Sequence, residues 1–322
     1  IGIGFQAGSG TVHHDLNIAI GYQAARVIQG ANKVIAIGYR AAETAIYSNT
    51  GGNQIFIGSE TAQYVGYANK STGDNNIFIG AHAGRHITYA SQNTVVGHMA
   101  YGRLGGSGQL NISGSDITAF GYAAGQYTTG SSNTFIGSEA GKGGQTSAPF
   151  SSGGSNTAVG RQALDAFTTG HSNNAFGKAA LGQVTTGAYN IGIGNSAGGA
   201  ILTAQANVAI SQDALAANQA TNNMIAIGFQ AMFSSNHADT VGNVAIGYTA
   251  LRNNVKGAGN VAIGDEAGRN ATGSYNTFVG FEAGTGGTTS APYSSGIYNT
   301  CLLYTSDAAD DTPCVDLGGR RI

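Results

Sequence analysis

Two glutamates, Glu266 and Glu282, each stand two residues after a glycine, in the phrases "NVAIGDEAG" and "NTFVGFEAG". On adjacent stacked strands such carboxylates would lie about 5 Å apart, the separation at which a retaining glycosidase holds its acid and its nucleophile. Glu60 and Glu139 fill the same slot, but so do Gln6, Gln23, Gln162 and Gln230, and Arg269 stands near enough to neutralise Glu266. A slot that accepts glutamine elsewhere reads as a solvated edge column. The phrase "GNSAG" (194–198) matches the nucleophile elbow, and "GIGNSAG" the dinucleotide pattern. Because "GFQAG" and "GSEAG" take the same register, Ser196 is variable filler. His82, His86 and His98 fall close together, with His13 and His14 near the start. A metal centre needs three or four converging ligands, and these lie in variable slots without a supporting cysteine. No metal, cofactor or enzymatic activity is expected.

The elements that would carry these residues come from one phrase, Asn-x-(Ala/Phe)-(Ile/Val)-Gly-x-x-Ala, as in "NIAIGYQA" from Asn17, "NTAVGRQAL" from Asn156 and "NVAIGYTAL" from Asn243. Its glycine recurs at fifteen places from Gly4 to Gly280, and Ser211 takes the slot once, giving sixteen copies most often 17 residues apart. The residues before the glycine form a short strand: Ile18 and Ile20 share one face, Ala19 the other. Both faces are apolar, as in a strand covered on both sides, and a single narrow solenoid can bury only one of them. Glycine ends the strand by accepting positive φ or close backbone approach. The asparagine suits a corner, where its amide can bond backbone and stack on the next asparagine. A helical turn over "RQALDAF" (161–167) is possible but too short to stand alone. The expected fold is all-β, a parallel β-solenoid or β-roll of about 16 short repeats spanning 1–300. The column Thr94, Thr118, Thr134, Thr157 would suit an ice-binding surface if it faced water. Since it shares a face with the repeat Ile/Val, it is expected to be buried.

Composition agrees with a stack of small residues: 322 residues include 53 glycines, no tryptophan, and only 9% charged side chains. Four of the acids and two of the arginines lie in 301–322, leaving twelve of each before it. A neutral body gives no case for nucleic acid, and no window of about 18 apolar residues gives one for membrane insertion. Insertions lengthen the intervals Gly58–Gly80, Gly97–Gly121 and Gly137–Gly160 and the stretch after Gly280, and extra residues in a solenoid must leave the stack. They carry the candidate binding aromatics: Phe150 and Tyr293 in the matched phrases "SAPFSS" and "SAPYSS", with Tyr64, Tyr67 and Tyr101.

The Asn-x-Ala-Ile-Gly phrase over Ile1–Thr300 resembles the head repeats of YadA-like trimeric autotransporter adhesins, of haemagglutinin type, and is similar to phage tail fibre repeats. The spacing departs from that family, whose repeats typically run to fourteen residues. The resemblance implies a left-handed β-roll and a homotrimer at a bacterial cell surface, outer membrane-anchored in the full-length protein, or on a virion tail. It also implies an extracellular adhesin-like segment that binds a host-surface protein or glycan. The alternatives are a tailspike, possibly glycan-cleaving, and an ice-binding solenoid. The chain opens in mid-phrase and reads as a fragment open at both ends. From Cys301 the wording changes to "CLLYTSDAADDTPCVDLGGRRI", which resembles a translated sequencing adapter. Residues 301–322 are therefore expected to be non-native and to add no coil. The rival reading is a C-terminal cap closed by a Cys301–Cys314 disulfide.

Overall fold

The computed structural model describes residues 1–10, 16–26, 32–43, 52–63, 73–87, 90–102, 113–144, 151–235, 240–286 and 295–302, with the backbone of 314–316. The chain divides into two units, Ile1–Thr169 and Gly170–Ile322. The first contains β1 (Gly2–Ile3), β2 (Ile18–Ile20), β3 (Asn32–Ile37), β4 (Gly52–Ile57), β5 (Ile77–Ile79), β6 (Thr94–Val96), β7 (Thr118–Phe120), β8 (Thr134–Ile136) and β9 (Thr157–Val159). Each pairs in parallel with the strand of the next copy, without a crossover. The second unit contains β10 (Asn174–Phe176), β11 (Ile191–Ile193), β12 (Val208–Ile210), β13 (Ile225–Ile227), β14 (Val244–Ile246), β15 (Val261–Ile263), β16 (Thr277–Val279), β17 (Asn299–Leu302) and β18 (Cys314–Asp316). It repeats the arrangement through β17. Both units are parallel β-solenoids, and β1–β16 correspond one to one with the sixteen copies of the phrase. Among the described residues there is no helix.

Backbone conformation explains the short strand and the missing helix. The repeat glycine takes φ between 122° and 143°. Its carbonyl sits where a side chain on the preceding coil's glycine would project: a Cβ on Gly247 would lie 2.1 Å from the Gly264 oxygen. The residue two places on is left-handed in every copy, as in Gln162 (φ 57°) and Glu266 (φ 55°). So is the residue four places on, Leu164 at 51° and Leu251 at 49°. This alternation closes tight turns rather than a helical turn over 161–167, because helix formation needs consecutive right-handed residues.

The interior is built from two columns with complementary volumes. From β2 to β16 the residue two places before the repeat glycine is buried, alanine in most copies and phenylalanine in Phe56, Phe78, Phe135 and Phe278. Where it is Phe78, Phe135 or Phe278, the left-handed position of the same coil is Gly84, Gly141 or Gly284. A Cβ on those glycines would fall 2.0–2.7 Å from the ring. Where the middle residue is Ala158, Ala209 or Ala245, that position is instead the buried Leu164, Leu215 or Leu251. These coils exchange volume between two sites, and where both are small, as at Ala262 and Gly268, the next coil's Phe278 ring reaches in, so the core keeps its density.

The asparagine corner is buried and satisfied, as the sequence suggests. Asn190 illustrates it: its Nδ2 donates to Asn173 Oδ1 (3.1 Å) and to the Ala204 carbonyl (2.8 Å). Its Oδ1 accepts from the Asn207 backbone N–H (3.1 Å). Where another residue takes the slot, the ladder continues through backbone, with the Ile117 N–H donating to Asn93 Oδ1 and Met224 N–H to Asn207 Oδ1. Gln54 substitutes by reaching the Gly73 carbonyl and accepting from Asn76 N–H. A buried amide with both donors and its acceptor used contributes stability, whereas an empty corner would strand backbone groups.

At the break in the phrase, β17 runs on through Cys301 and Leu302. Cys301 pairs with Phe278 and is buried, in the column held by alanine or phenylalanine elsewhere. Backbone pairing does not read side chains, and a small apolar thiol fits that slot. Cys301 is disulfide-bonded, and the other cysteine, Cys314, is its register partner in β18. β18 is antiparallel to β17, so it is a returning strand and not a further turn of the solenoid.

Ser211 is the one side chain in the glycine column, at φ 101°. Ser211→Gly is expected to raise stability by about 1 kcal/mol by removing backbone strain, and Gly247→Ala to lower it by more than that through its clash with the next coil. Denaturant midpoints of the two variants against the parent check the pair.

Candidate functional site

In each coil the residues one and three places after the asparagine slot flank the buried strand centre, and they point outward. The repeat Ile/Val residues are therefore not the core. Ile136, Ile193, Ile246 and Ile263 are each about two-fifths exposed (37–41%). The threonine column shares this face: Thr94, Thr118, Thr134 and Thr157 stand in register on β6–β9, each partly exposed. Their expected burial is corrected by the strand's pleat, which turns the alanine column inward. A third outward column follows the glycine and is rich in aromatics. Phe5, Tyr22 and Tyr39 stack at 5.4 Å between successive centroids, with the Arg40 guanidinium 5.2 Å from the Tyr39 ring; Phe229 and Tyr248 stack at 5.4 Å.

The next face, past the left-handed turn, is polar and bonded to itself. Gln23 Nε2 donates to Gln6 Oε1 (2.9 Å) and Arg40 Nε to Gln23 Oε1 (3.2 Å). Glu43, buried, meets Arg40 at 3.5 Å and Arg26 at 3.8 Å and accepts from Gln63 Nε2 at 2.9 Å. Glu266 accepts from Arg269 Nη1 at 2.9 and 3.0 Å, the neutralisation expected from sequence, while Glu282 is exposed. Ser196, in the same column, donates to Asn195 Oδ1. Glu139 is bonded by Lys142 (2.8 Å) and Gln162 (2.9 Å), and the lysine holds its carboxyl below the usual range. Asp165, which sequence reasoning did not single out, is pushed up by burial, with Glu139 adding to the rise. Only the fold reveals that pairing, because the two residues lie on successive coils.

The histidines share the border of these two faces. His82 Nδ1 is 3.4 Å from Glu60 Oε2, and Arg85 Nη1 is 3.5 Å from the same oxygen. Burial lowers the His82 pKa against the pull of Glu60, with Arg85 and His98 adding to the lowering. The neutral ring thus belongs to the folded state. Its contribution is complete above the unfolded pKa of about 6.5 and shrinks as pH falls below it. Among the described residues no three His, Cys, Asp or Glu side chains converge as a metal site. His13 and His14 lie outside the described residues.

Of the candidate loop aromatics, Phe150, Tyr293, Tyr64 and Tyr67 lie outside the described residues. Tyr101 is corrected. It is wholly buried, at φ 43° in the left-handed core column, and its hydroxyl donates to the Gly114 carbonyl at 2.8 Å. Burial drives its pKa far above the ordinary phenol range. It is a packing residue, in the slot that leucine fills in "NTAVGRQAL". Tyr101→Ala is expected to cost about 3–5 kcal/mol, as for other buried aromatics. Tyr101→Phe should cost only about 1 kcal/mol for the lost hydrogen bond. Equilibrium unfolding of both variants checks the assignment.

Among the described residues no helix is long and apolar enough to cross a membrane. No protein-family model matches the chain, and no curated protein is similar to it.

Proposed function

We propose that this chain is a stretch of a non-enzymatic, surface-exposed, adhesin-like fibre. On this reading three copies cover one another's outward Ile/Val faces, and segments at the far corner of the coil bind the target surface. The observation that carries the reading is the outward face itself. Along β1–β8 its three columns, from Ile1 to Ser138, contain no Asp, Glu, Lys or Arg. With strands about 4.8 Å apart, the face of one unit covers about 500–800 Å², close to the area each partner gives to a standard protein interface. Apolar patches of that size on a soluble surface mark interaction sites. The resemblance of the repeat phrase to YadA-type heads suggests three copies, and its resemblance to phage fibres suggests a virion tail as the alternative setting.

The loops support the second half of the reading by their place in the chain. In the first unit, the stretches 27–31, 44–51, 64–72, 103–112 and 145–150 all fall between the polar turn and the asparagine slot. Their roots are thus separated from the strand face, so self-association and display do not compete. A second reading, ice binding, is favoured by one observation, the outward threonine column of β6–β9. It requires that face to stay bare, and thermal hysteresis from a monomer would select it.

Ile79→Asp with Ile263→Asp is expected to leave the solenoid folded, by circular dichroism, and to abolish assembly in light scattering, since each aspartate desolvates on association. A parent chain that stays monomeric would defeat the self-association reading. Phe150→Ala with Tyr293→Ala should weaken attachment to a host or environmental surface while assembly persists, at about 2 kcal/mol for an aromatic anchor. On this reading residues 301–322 are foreign to the fibre, although Cys301 and Leu302 complete β17. If so, ending the chain at Leu302 leaves the denaturation midpoint unchanged; a loss of about 3 kcal/mol, the scale of a disulfide closing a short loop, would make the tail a working cap.

A further inference from the structure

Resting on the self-association reading above, we propose that the strand face of the second unit pairs with the same face of a second copy running in the opposite direction. The pair forms about a twofold axis that lies along the strands, between β12 and β13. Charge sets the direction. In the three outward columns of β10–β16 the only charged side chains are Lys178, on the coil of β10, and Asp265, on the coil of β15. Both stand in the column after the repeat glycine, and both are exposed. Neither makes an ion pair among the described residues. Five strand spacings separate them, about 24 Å along the stack.

Two symmetric arrangements can bring such faces together. An axis along the stack sets each coil against its own copy, so Lys178 stays five coils from the nearest Asp265 and both charges are covered without a partner. An axis along the strands instead reverses the stack and keeps each column opposite itself. Between β12 and β13, it sets each Lys178 against Asp265 of the second copy. It also sets Ile210 on Ile227 and Ile193 on Ile246, and lays the Asn195 amide against the Tyr248 ring. Ile193 and Ile246 are about two-fifths exposed and Tyr248 about half, so the pair covers apolar area that the coil leaves open. Six strands by three columns give about 500 Å² per copy, or about 1,000 Å² in all, enough for a specific contact. Covering an unpaired charge is unfavourable, and an opposite charge offsets that cost. The isoleucine columns therefore supply the area and the two charges choose the direction. The face of β1–β8 has no charge with which to choose.

The test is the mass of the full chain by sedimentation across a concentration series at low salt, with far-ultraviolet circular dichroism to report the fold. Lys178→Asp and Asp265→Lys should each reduce the mass of the parent's largest assembly by about half, the change for loss of a twofold contact. The two substitutions together should restore that mass, because the reversed charges again meet as opposites. All three variants should keep the parent's circular dichroism, since both side chains are exposed. Single variants that keep the parent's mass, or a double variant as small as the singles, would overturn the antiparallel pair and leave self-association standing. A parent that is monomeric at every concentration would overturn the self-association reading and the pair with it.

Discussion

The structure depends on a contact between backbones at the glycine column. Each repeat glycine carries its carbonyl into the space that a Cβ on the preceding coil would need, with φ near 130°. The approach places successive strands in register, so that Ala19 meets Ala36 and Ile20 meets Ile37. It also brings the asparagine corners close enough for one amide to reach the next. Remove the approach and the corner ladder, the alanine column and the stacked side chains all lose their spacing together. The left-handed residues after the glycine are the local cost of closing so tight a coil, and the surrounding ladder holds them there.

The coil distributes its side chains unequally. Inside are alanine, larger apolar groups in most coils, and asparagine amides with their bonds made. Past the turn, polar side chains hydrogen-bond along the stack, so that Gln6, Gln23, Arg40 and Glu43 leave little for a partner to satisfy. The strand face differs. Its β-branched and aromatic residues stack on like residues of neighbouring coils, but nothing in the coil covers their outer surface. A sheet face with a satisfied backbone and uncovered apolar area gains free energy when that area leaves water.

Much of this was legible from spacing. A glycine at fifteen of sixteen near-regular places and, in most copies, an asparagine four residues before it dictate strand, turn and corner, and the two-residue alternation separates the strand's faces. Which face points inward was not legible, since alanine and isoleucine are both apolar. Backbone curvature decides it, by admitting the smaller residue to the narrow interior. Tyr101 misled for a related reason: it lies in the lengthened interval between Gly97 and Gly121, yet its register, four residues after Gly97, places it in the core column. The exchange between Phe78 and Gly84, or Ala158 and Leu164, is plain in the repeat phrases once the two columns are known to touch.

That exchange bears on how a chain of near-identical phrases avoids mispairing. Any copy could in principle stack on any other, because backbone and asparagine are common to all. A coil carrying Phe135 and Gly141 leaves its bulk on the strand side, whereas one carrying Ala158 and Leu164 leaves it on the turn side. Neighbours packed in the native sequence interlock these shapes, as the Phe135 and Phe167 rings do at 5.7 Å. A slip by one copy across the Phe135 coil would set its ring against a Leu-bearing coil in one place and leave a void in another, both of which are penalised. Where copies differ, as at Phe135 and Phe278, those differences thus act as an address, while runs of like coils such as β12–β14 take their order from the marked coils on either side.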